Sequence, residues 1–389
     1  MSNFSLQNLM SPIVRVWELP EPEPREWVVA NLIPCEATTI LYGDGGTKKS
    51  YLALYLATQA LQGGDFLGVT VKKQDSVLYV DAELDDKEFI RRAYAVSRGL
   101  GLDRPPEGLH YASLSGPLDL LETQLALQQA ISDCRATLTI VDSLTVAAAG
   151  ANVNDVEVIT ALMKGLVKFG TVVALDHIAK PQSGTSQSDY RPFGSAFKYN
   201  LGRSVLQMIK APSGGIALHH KKTNFGPESR SMAFAVEFRE ENAGEVVVFT
   251  AIGLSDPRLA GIEHDIPAID RVARALADAG TVTTASDLAS ALGLETKTVQ
   301  NHLTALKKQG RALHVGKGLW TAPEFLPKRP EAVSEGQRLS LPEAATQDCT
   351  VSPAQPAREA STVPPTGVQF PIREQLCGSV AAVDDEGVA

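Results

Sequence analysis

Between Gly43 and Ser50 the chain reads Gly-Asp-Gly-Gly-Thr-Lys-Lys-Ser. Glycines let backbone N–H groups approach an anion closely, and such a run at the start of a helix suits phosphate oxygens. Counted from Gly43, Lys49 falls where an ammonium reaches the β- and γ-phosphates of a nucleotide. Ser50 falls where a hydroxyl can hold Mg²⁺. The expected cradle is therefore Gly43, Asp44, Gly45, Gly46, Thr47, Lys48, Lys49 and Ser50, with ATP and Mg²⁺ as ligands. Lys48 departs from the usual pattern, which has glycine there, so altered loop geometry or an extra charge near the phosphates is expected. The competing reading is a Gly-rich turn with surface lysines nearby.

Further candidates lie at the ends of later apolar runs. Asp142 closes Leu138-Thr139-Ile140-Val141 and can orient the Mg²⁺ shell through water, which makes Ser50 and Asp142 the metal candidates. Glu83 follows Val77-Leu78-Tyr79-Val80 in Asp81-Ala82-Glu83 and can deprotonate an attacking water, with Asp81 as its competitor. His177 ends Leu175-Asp176-His177 and can sense a γ-phosphate. Residues 181–192 are polar and read as a mobile loop suited to a ligand-gated DNA contact. Arg203 and Lys222 are cations that a neighbouring subunit could offer to the γ-phosphate. Each also has a plain structural reading, as a solvated acid, a satisfied histidine or a surface salt-bridge partner.

These residues need a scaffold that lines up strand ends. Thr38–Tyr42, Val77–Asp81, Leu138–Asp142 and Thr171–Leu175 read as buried strands. Tyr51–Gln62, Asp86–Ser97, Leu118–Ser132 and Val156–Phe169 read as helices between them. Continuous apolar strands alternating with amphipathic helices predict a mostly parallel sheet covered on both faces, an α/β fold. A strand pair, Ala235–Phe238 with Val246–Phe249, turns around Asn242-Ala243-Gly244.

Beyond Ile266 the texture changes. Ile269, Val272, Ala273 and Leu276 form one helical stripe. Ser286-Asp287 reads as the start of a second helix that Gly293 ends, and Thr296 as the cap of a third with Val299, Leu303 and Leu306 inward. Two short strands around Gly316-Lys317-Gly318 complete a winged-helix order. Between residues 266 and 322 seven Lys and Arg oppose four Asp and Glu, a net of +3. The duplex-contacting candidates are Lys297, Thr298, Gln300 and Asn301 at the start of the third helix and Lys317 in the wing. A protein-docking module is the alternative, since fold alone does not set function. The expected organisation is an extended Pro-rich arm (1–25), an ATPase domain (26–255), a winged helix (264–323) and a disordered tail (324–389).

The phosphate loop, Leu78–Glu83, Val141-Asp142-Ser143, residues 176–180, Gly194-Ser195 and Lys222-Thr223-Asn224 together resemble the RecA-like ATPases. Within that superfamily the likeness is to the RepA-type branch, small hexameric replicative helicases of plasmids and phages, and it spans about Trp27 to Ile252. The resemblance implies a RecA-like sheet, Glu83 as catalytic base, Lys49, His177, Arg203 and Lys222 in catalytic roles, and rings with ATP between subunits. It also implies loops that grip single-stranded DNA. The appended winged helix departs from a minimal member and implies recruitment to duplex DNA or to a replication protein.

Composition bounds these readings. The 389 residues carry a net charge of -9 and 44% hydrophobic residues, which excludes whole-chain disorder, collagen and rod-like coiled coils. No run approaches the length of a membrane span. Four scattered cysteines give neither a zinc site nor a disulfide framework, and Met1-Ser2-Asn3-Phe4 lacks a signal-peptide pattern, so a cytoplasmic setting is expected. The tail, with ten acids against five bases, accounts for much of the acidity. The functional expectation is an ATP-driven DNA motor, a ring helicase of a mobile element. The alternatives are a filament-forming recombination or repair ATPase and a nucleotide-switched DNA-binding regulator or loader.

Overall fold

The computed structural model describes residues 14–148, 156–178, 187–193 and 196–325, and all of them belong to one compact unit. Expectations for residues 1–13, the 181–186 part of the polar loop, Ala179-Lys180, Gly194-Ser195 and the tail beyond Phe325 lie outside the described residues.

The chain enters through a 3-10 turn at Val16–Glu18 and a small hairpin, β1 (Trp27–Val29) with β2 (Ile33–Pro34). Then follow β3 (Thr38–Gly43), α1 (Lys49–Gln62), a second small hairpin of β4 (Asp65–Phe66) and β5 (Val69–Thr70), and β6 (Val77–Asp81). Next come α2 (Asp86–Gly99), β7 (Leu109–Ser113), α3 (Leu121–Cys134), β8 (Leu138–Asp142), α4 (Leu144–Ala147), α5 (Val156–Val167) and β9 (Val172–His177). After α6 (Ala196–Leu201) the chain runs through β10 (Ser204–Lys210), β11 (Ile216–Thr223), β12 (Met232–Glu241) and β13 (Gly244–Ile252).

Nine strands form one sheet in the order β13-β12-β11-β10-β3-β9-β8-β6-β7. From β10 to β7 every neighbour is parallel, and β11, β12 and β13 extend the sheet antiparallel. The parallel strands bury both faces because successive side chains point to opposite sides. Val77 and Tyr79 pack with Leu52 and Phe89 beneath α1 and α2, while Leu78 and Val80 join Leu127, Leu162 and Leu166 beneath α3 and α5. This is the expected α/β architecture, a mostly parallel sheet covered by helices on both faces. Three strands of this sheet were not anticipated: β7, whose residues stay half-exposed at the sheet edge, and β10 and β11, which are interrupted by Gln207 and by His219-His220-Lys221-Lys222. The anticipated hairpin forms as β12 and β13, with Val236 opposite Phe249 and Phe238 opposite Val247.

The C-terminal part holds α7 (Ala268–Asp278), β14 (Thr283–Thr284), α8 (Ala285–Leu292), α9 (Thr296–Lys308), β15 (Leu313–Gly316) and β16 (Leu319–Thr321). Val272, Leu276, Leu288, Val299, Leu303, Leu306 and Trp320 make its own core. The strands pair in the order β14-β16-β15. Two helix starts differ from the sequence reading. Thr284, not Ser286, caps α8, through a capping box in which its hydroxyl accepts the Asp287 N–H at 3.1 Å. Glu295, not Thr296, is the cap residue of α9, without a side-chain cap bond. This part is fastened to the sheet by buried polar contacts. Asp270 accepts the Ser231 N–H at 3.0 Å, and Arg274 donates to the Leu254 carbonyl just past β13 at 2.9 Å; within the C-terminal part Asp270 also accepts the Arg311 guanidinium at 2.9 Å. Among the described residues no helix is long and apolar enough to cross a membrane.

Candidate nucleotide-binding active site

In open α/β sheets the working groups collect at the carboxyl ends of the parallel strands. Gly43, Asp81, Asp142 and His177 are the last residues of β3, β6, β8 and β9, all neighbours in the parallel half of the sheet. The register sets two levels: Gly43 pairs with His177 and Asp81 with Asp142, and because Val141 pairs with Ala174 the first pair stands two residues beyond the second.

The phosphate loop is folded as the sequence demanded. A Cβ at Gly43 would stand 2.7 Å from the Met208 carbonyl, so only glycine lets β3 lie this close to β10. Gly46 has φ +75°, a left-handed conformation favoured by glycine. Lys49 is buried, and its ammonium donates to the Gly43 and Asp44 carbonyls, each at 3.0 Å. Burial pushes its pKa below the ordinary amine range, and the carboxylates of Asp142, Glu83, Asp176 and Asp44 oppose that shift. Thr47 Oγ1 donates to the Asp44 carbonyl at 2.8 Å, and Asp44 Oδ1 accepts the Gly45 N–H at 2.8 Å, so the loop is also braced from within.

Lys48 does not distort the loop. It takes φ 68° and ψ 30°, the left-handed geometry that glycine would supply, as the residue before α1. Holding a lysine there costs about 1–2 kcal/mol of backbone strain. Its ammonium lies 4.6 Å from the Phe238 ring centroid and 6.0 Å from that of Tyr51, and the two rings meet edge to face at 5.1 Å. Such a cation–π contact returns about 0.5–1 kcal/mol at a half-exposed site.

Asp142 and Ser50 form the candidate Mg²⁺ site. Ser50 stands in the first turn of α1 within electrostatic reach of the Asp142 carboxylate, whose Oδ2 accepts the Tyr79 hydroxyl at 2.7 Å. Burial raises the Asp142 pKa, and the two hydroxyls pull it back. An alcohol oxygen beside a carboxylate at the mouth of a phosphate loop fits Mg²⁺, which takes few protein oxygens and completes its shell with water and phosphate. Tyr79 was read only as part of an apolar strand and had no role assigned; its place two residues before the strand tip, inside that run, disguised it as core.

Glu83 and Asp81 separate cleanly. Asp81 is buried, and its Oδ1 accepts the N–H groups of Glu83 and Leu84 at 2.7 and 2.9 Å, so it shapes the turn that presents Glu83. Glu83 Oε1 accepts the Ser143 hydroxyl at 2.5 Å and lies 3.3 Å from His177 Nε2. His177 lowers the Glu83 pKa, burial raises it, and the Ser143 bond and the Lys49 charge lower it further, for a net depression. Glu83 is thus a carboxylate held between two groups from different strands, a third of it open to solvent. Ser143 was within the quoted motif but had no role assigned.

The two cations proposed for a neighbouring nucleotide lie elsewhere. Ser204 pairs with Thr39, and Val205 with both Ile40 and Lys222, so Arg203 and Lys222 stand toward the opposite end of β3 from Gly43. From Thr39 to Gly43 the strand runs about 13 Å. Arg203 is exposed. Lys222 Nζ donates to the carbonyls of Tyr199, Asn200 and Gly202 at 3.1, 2.6 and 2.9 Å, closing the C-terminal end of α6. Within its own chain Lys222 is a helix-capping residue. Lys297, Gln300 and Asn301 are exposed at the start of α9, Thr298 is half-buried, and exposed Lys317 sits at φ 51° between Gly316 and Gly318. Among the described residues no hydrogen bond or ion pair joins them to the strand-tip cluster.

The family model described as AAA domain matches residues 7–183, a little under half of the chain, and takes in the phosphate loop, Glu83, Asp142 and His177. No curated protein matches the sequence. Among solved structures, the flagellar accessory protein FlaH from Methanocaldococcus jannaschii is similar at 15% identity, over 57% of this chain and 91% of that one, with a TM-score of 0.39. That likeness is too loose to add to the architecture already described. The family match and the strand-tip geometry agree: residues 7–183 are similar to AAA-type ATPase domains, and the strand tips carry the matching phosphate loop and carboxylates.

Proposed function

We propose that the chain is an ATP-hydrolysing motor on DNA, a ring-forming replicative helicase of a plasmid, phage or other mobile element. The observation that carries the hydrolytic part is Glu83, held by Ser143 and His177 beside the loop that buries Lys49. The N–H groups of the loop and the Lys49 ammonium bind the phosphates. Ser50 and Asp142 hold Mg²⁺, which when bound supplies charge neutralisation to the phosphate oxygens. Glu83 accepts the proton of the attacking water as its oxygen joins the γ-phosphorus and the bond to the β–γ bridging oxygen breaks, releasing ADP. The low pKa of Glu83 keeps it ionised and ready at neutral pH. Single-stranded DNA as the track, and a hexamer as the assembly, rest on the resemblance of the motif set.

A second reading, a nucleotide-switched duplex-binding regulator or loader, draws on the exposed face of α9 and the wing lysine. The C-terminal part, read as a winged helix, then does the work and ATP acts as a switch. Turnover decides between them. Wild type should hydrolyse ATP faster with single-stranded DNA and separate a forked duplex, and Glu83→Gln should lower turnover about 10²- to 10⁴-fold while still binding nucleotide. ATP hydrolysis without unwinding removes the helicase reading, and Glu83→Gln with full turnover removes Glu83 as the base.

A further inference from the structure

Behind the site lies a charged pair that none of the steps above uses. Lys198 Nζ sits 2.9 Å from Asp176 Oδ2 and 3.2 Å from Oδ1, and both side chains are wholly buried. Thr145 Oγ1 donates to Asp176 Oδ1 at 2.6 Å and lies 3.4 Å from the same ammonium. Two charges removed from water persist only where geometry repays their desolvation, and here each has its partner.

The location gives the cluster its meaning. Glu83 is gripped by Ser143, which follows β8, and by His177, which ends β9. The main-chain ladder between β8 and β9 stops at Val141 opposite Ala174, short of both gripping residues. Past that point the Thr145–Asp176–Lys198 cluster bonds the two tips to each other. Thr145 is two residues after Ser143, Asp176 immediately precedes His177, and Lys198 comes from α6.

We propose that Lys198 and Asp176, with Thr145, are positioning residues for water activation: they lock the tip that carries His177 against the turn that carries Ser143 and so fix the Glu83 carboxylate from both sides. The proposal rests on the ATPase reading given above. None of the three touches the phosphate loop through a hydrogen bond, and the charge by which Asp176 reaches Lys49 is offset by the Lys198 ammonium beside it, so they act on the rate of the chemical step and not on nucleotide capture.

The test uses the full chain and two variants. Asp176→Asn combined with Lys198→Met removes both charges together, leaving neither buried alone. Thr145→Val removes one hydroxyl at nearly constant shape. The expected result is an ADP dissociation constant within about twofold of wild type by calorimetry, and a kcat lowered about 10- to 100-fold in the double variant and severalfold in Thr145→Val. A folded double variant with wild-type kcat overturns the proposal, as does a loss of turnover matched by an equal loss of ADP affinity. If the double variant does not fold, Thr145→Val decides alone: unchanged kcat overturns, a lowered kcat with intact ADP binding supports. Absence of turnover in wild type brings down the ATPase reading and this proposal with it, whereas wild-type turnover with unaffected variants brings down this proposal only.

Discussion

The strand-tip cluster and the C-terminal surface both concentrate polar residues, but they dispose of them in opposite ways. At the strand tips the polar groups are mostly buried and most are committed: Lys49 to two carbonyls, Asp142 to the Tyr79 hydroxyl, Asp176 to Lys198 and Thr145. On α9 and the wing, Lys297, Gln300, Asn301 and Lys317 face solvent. A buried polar group left without its partner costs the full desolvation of that group, whereas an exposed one is replaced by water. Stability is therefore sensitive to the first region, and the second is free to vary for the sake of a ligand.

The largest expected effect tests buried polarity in the sheet. Burial holds His219 and His220 neutral and lowers each pKa from 6.5 to about 4. His220 Nδ1 accepts the Ser229 N–H at 2.9 Å, which leaves Nε2–H to face Ser204 Oγ at 3.0 Å, and His219 Nδ1 lies 2.7 Å from Ser231 Oγ. Because the folded values lie below the unfolded one, the unfolded chain takes up protons first as pH falls. The stabilisation is fully present above about pH 6.5 and is lost progressively down to about pH 4, roughly 3 kcal/mol for each histidine. Thermal unfolding followed from pH 7.5 to 4.5 should show this slope, and His220→Gln should flatten it. A melting temperature constant over that range would break the comparison on its buried side.

A smaller effect is expected within the C-terminal part. Thr284→Ala removes the capping box of α8 and should cost about 1 kcal/mol by denaturant unfolding, since one exposed helix start is all it touches. A loss of several kcal/mol would mean that α8 is braced as tightly as the strand tips. The smallest effect on stability is expected from Lys317→Ala, within about 0.5 kcal/mol of wild type. Its signature belongs to binding: weaker capture of duplex DNA, with the salt dependence reduced by about one phosphate contact. Duplex affinity unchanged by Lys317→Ala would leave the exposed lysine without a ligand and sharpen the case for a protein partner.

What the sequence revealed follows the same division. Strands β3, β6, β8 and β9 were legible because each is a run of buried apolar residues ending at a polar tip, and that tip logic brought Lys49, Glu83, Asp142 and His177 to one place. Strands β10 and β11 were hidden by buried polar residues whose partners are distant in sequence. Gln207 donates to the Gln187 carbonyl at 2.7 Å, and His219 and His220 find serines 12 and 16 residues away. A sequence window sees such residues as surface, since satisfaction is a property of tertiary contact. For the same reason Lys198 had no role assigned from the sequence: its partner, Asp176, is 22 residues earlier. The left-handed slot at Lys48 was also invisible, because glycine is the usual evidence for such a slot and here a lysine accepts the strain.

Strand β12 has a consequence of another kind. Its ten residues begin beside Ser231, whose N–H is bonded to Asp270 of α7, and seven residues along from Ser231 stands Phe238, beneath the ammonium of Lys48. That separation is about 23 Å of extended chain. In mechanical terms β12 is a stiff beam with one support on the C-terminal part and the other on the phosphate loop. The contact with α7 and the contact with the phosphate loop thus share one strand, set apart from the polar groups at the tips of β6, β8 and β9.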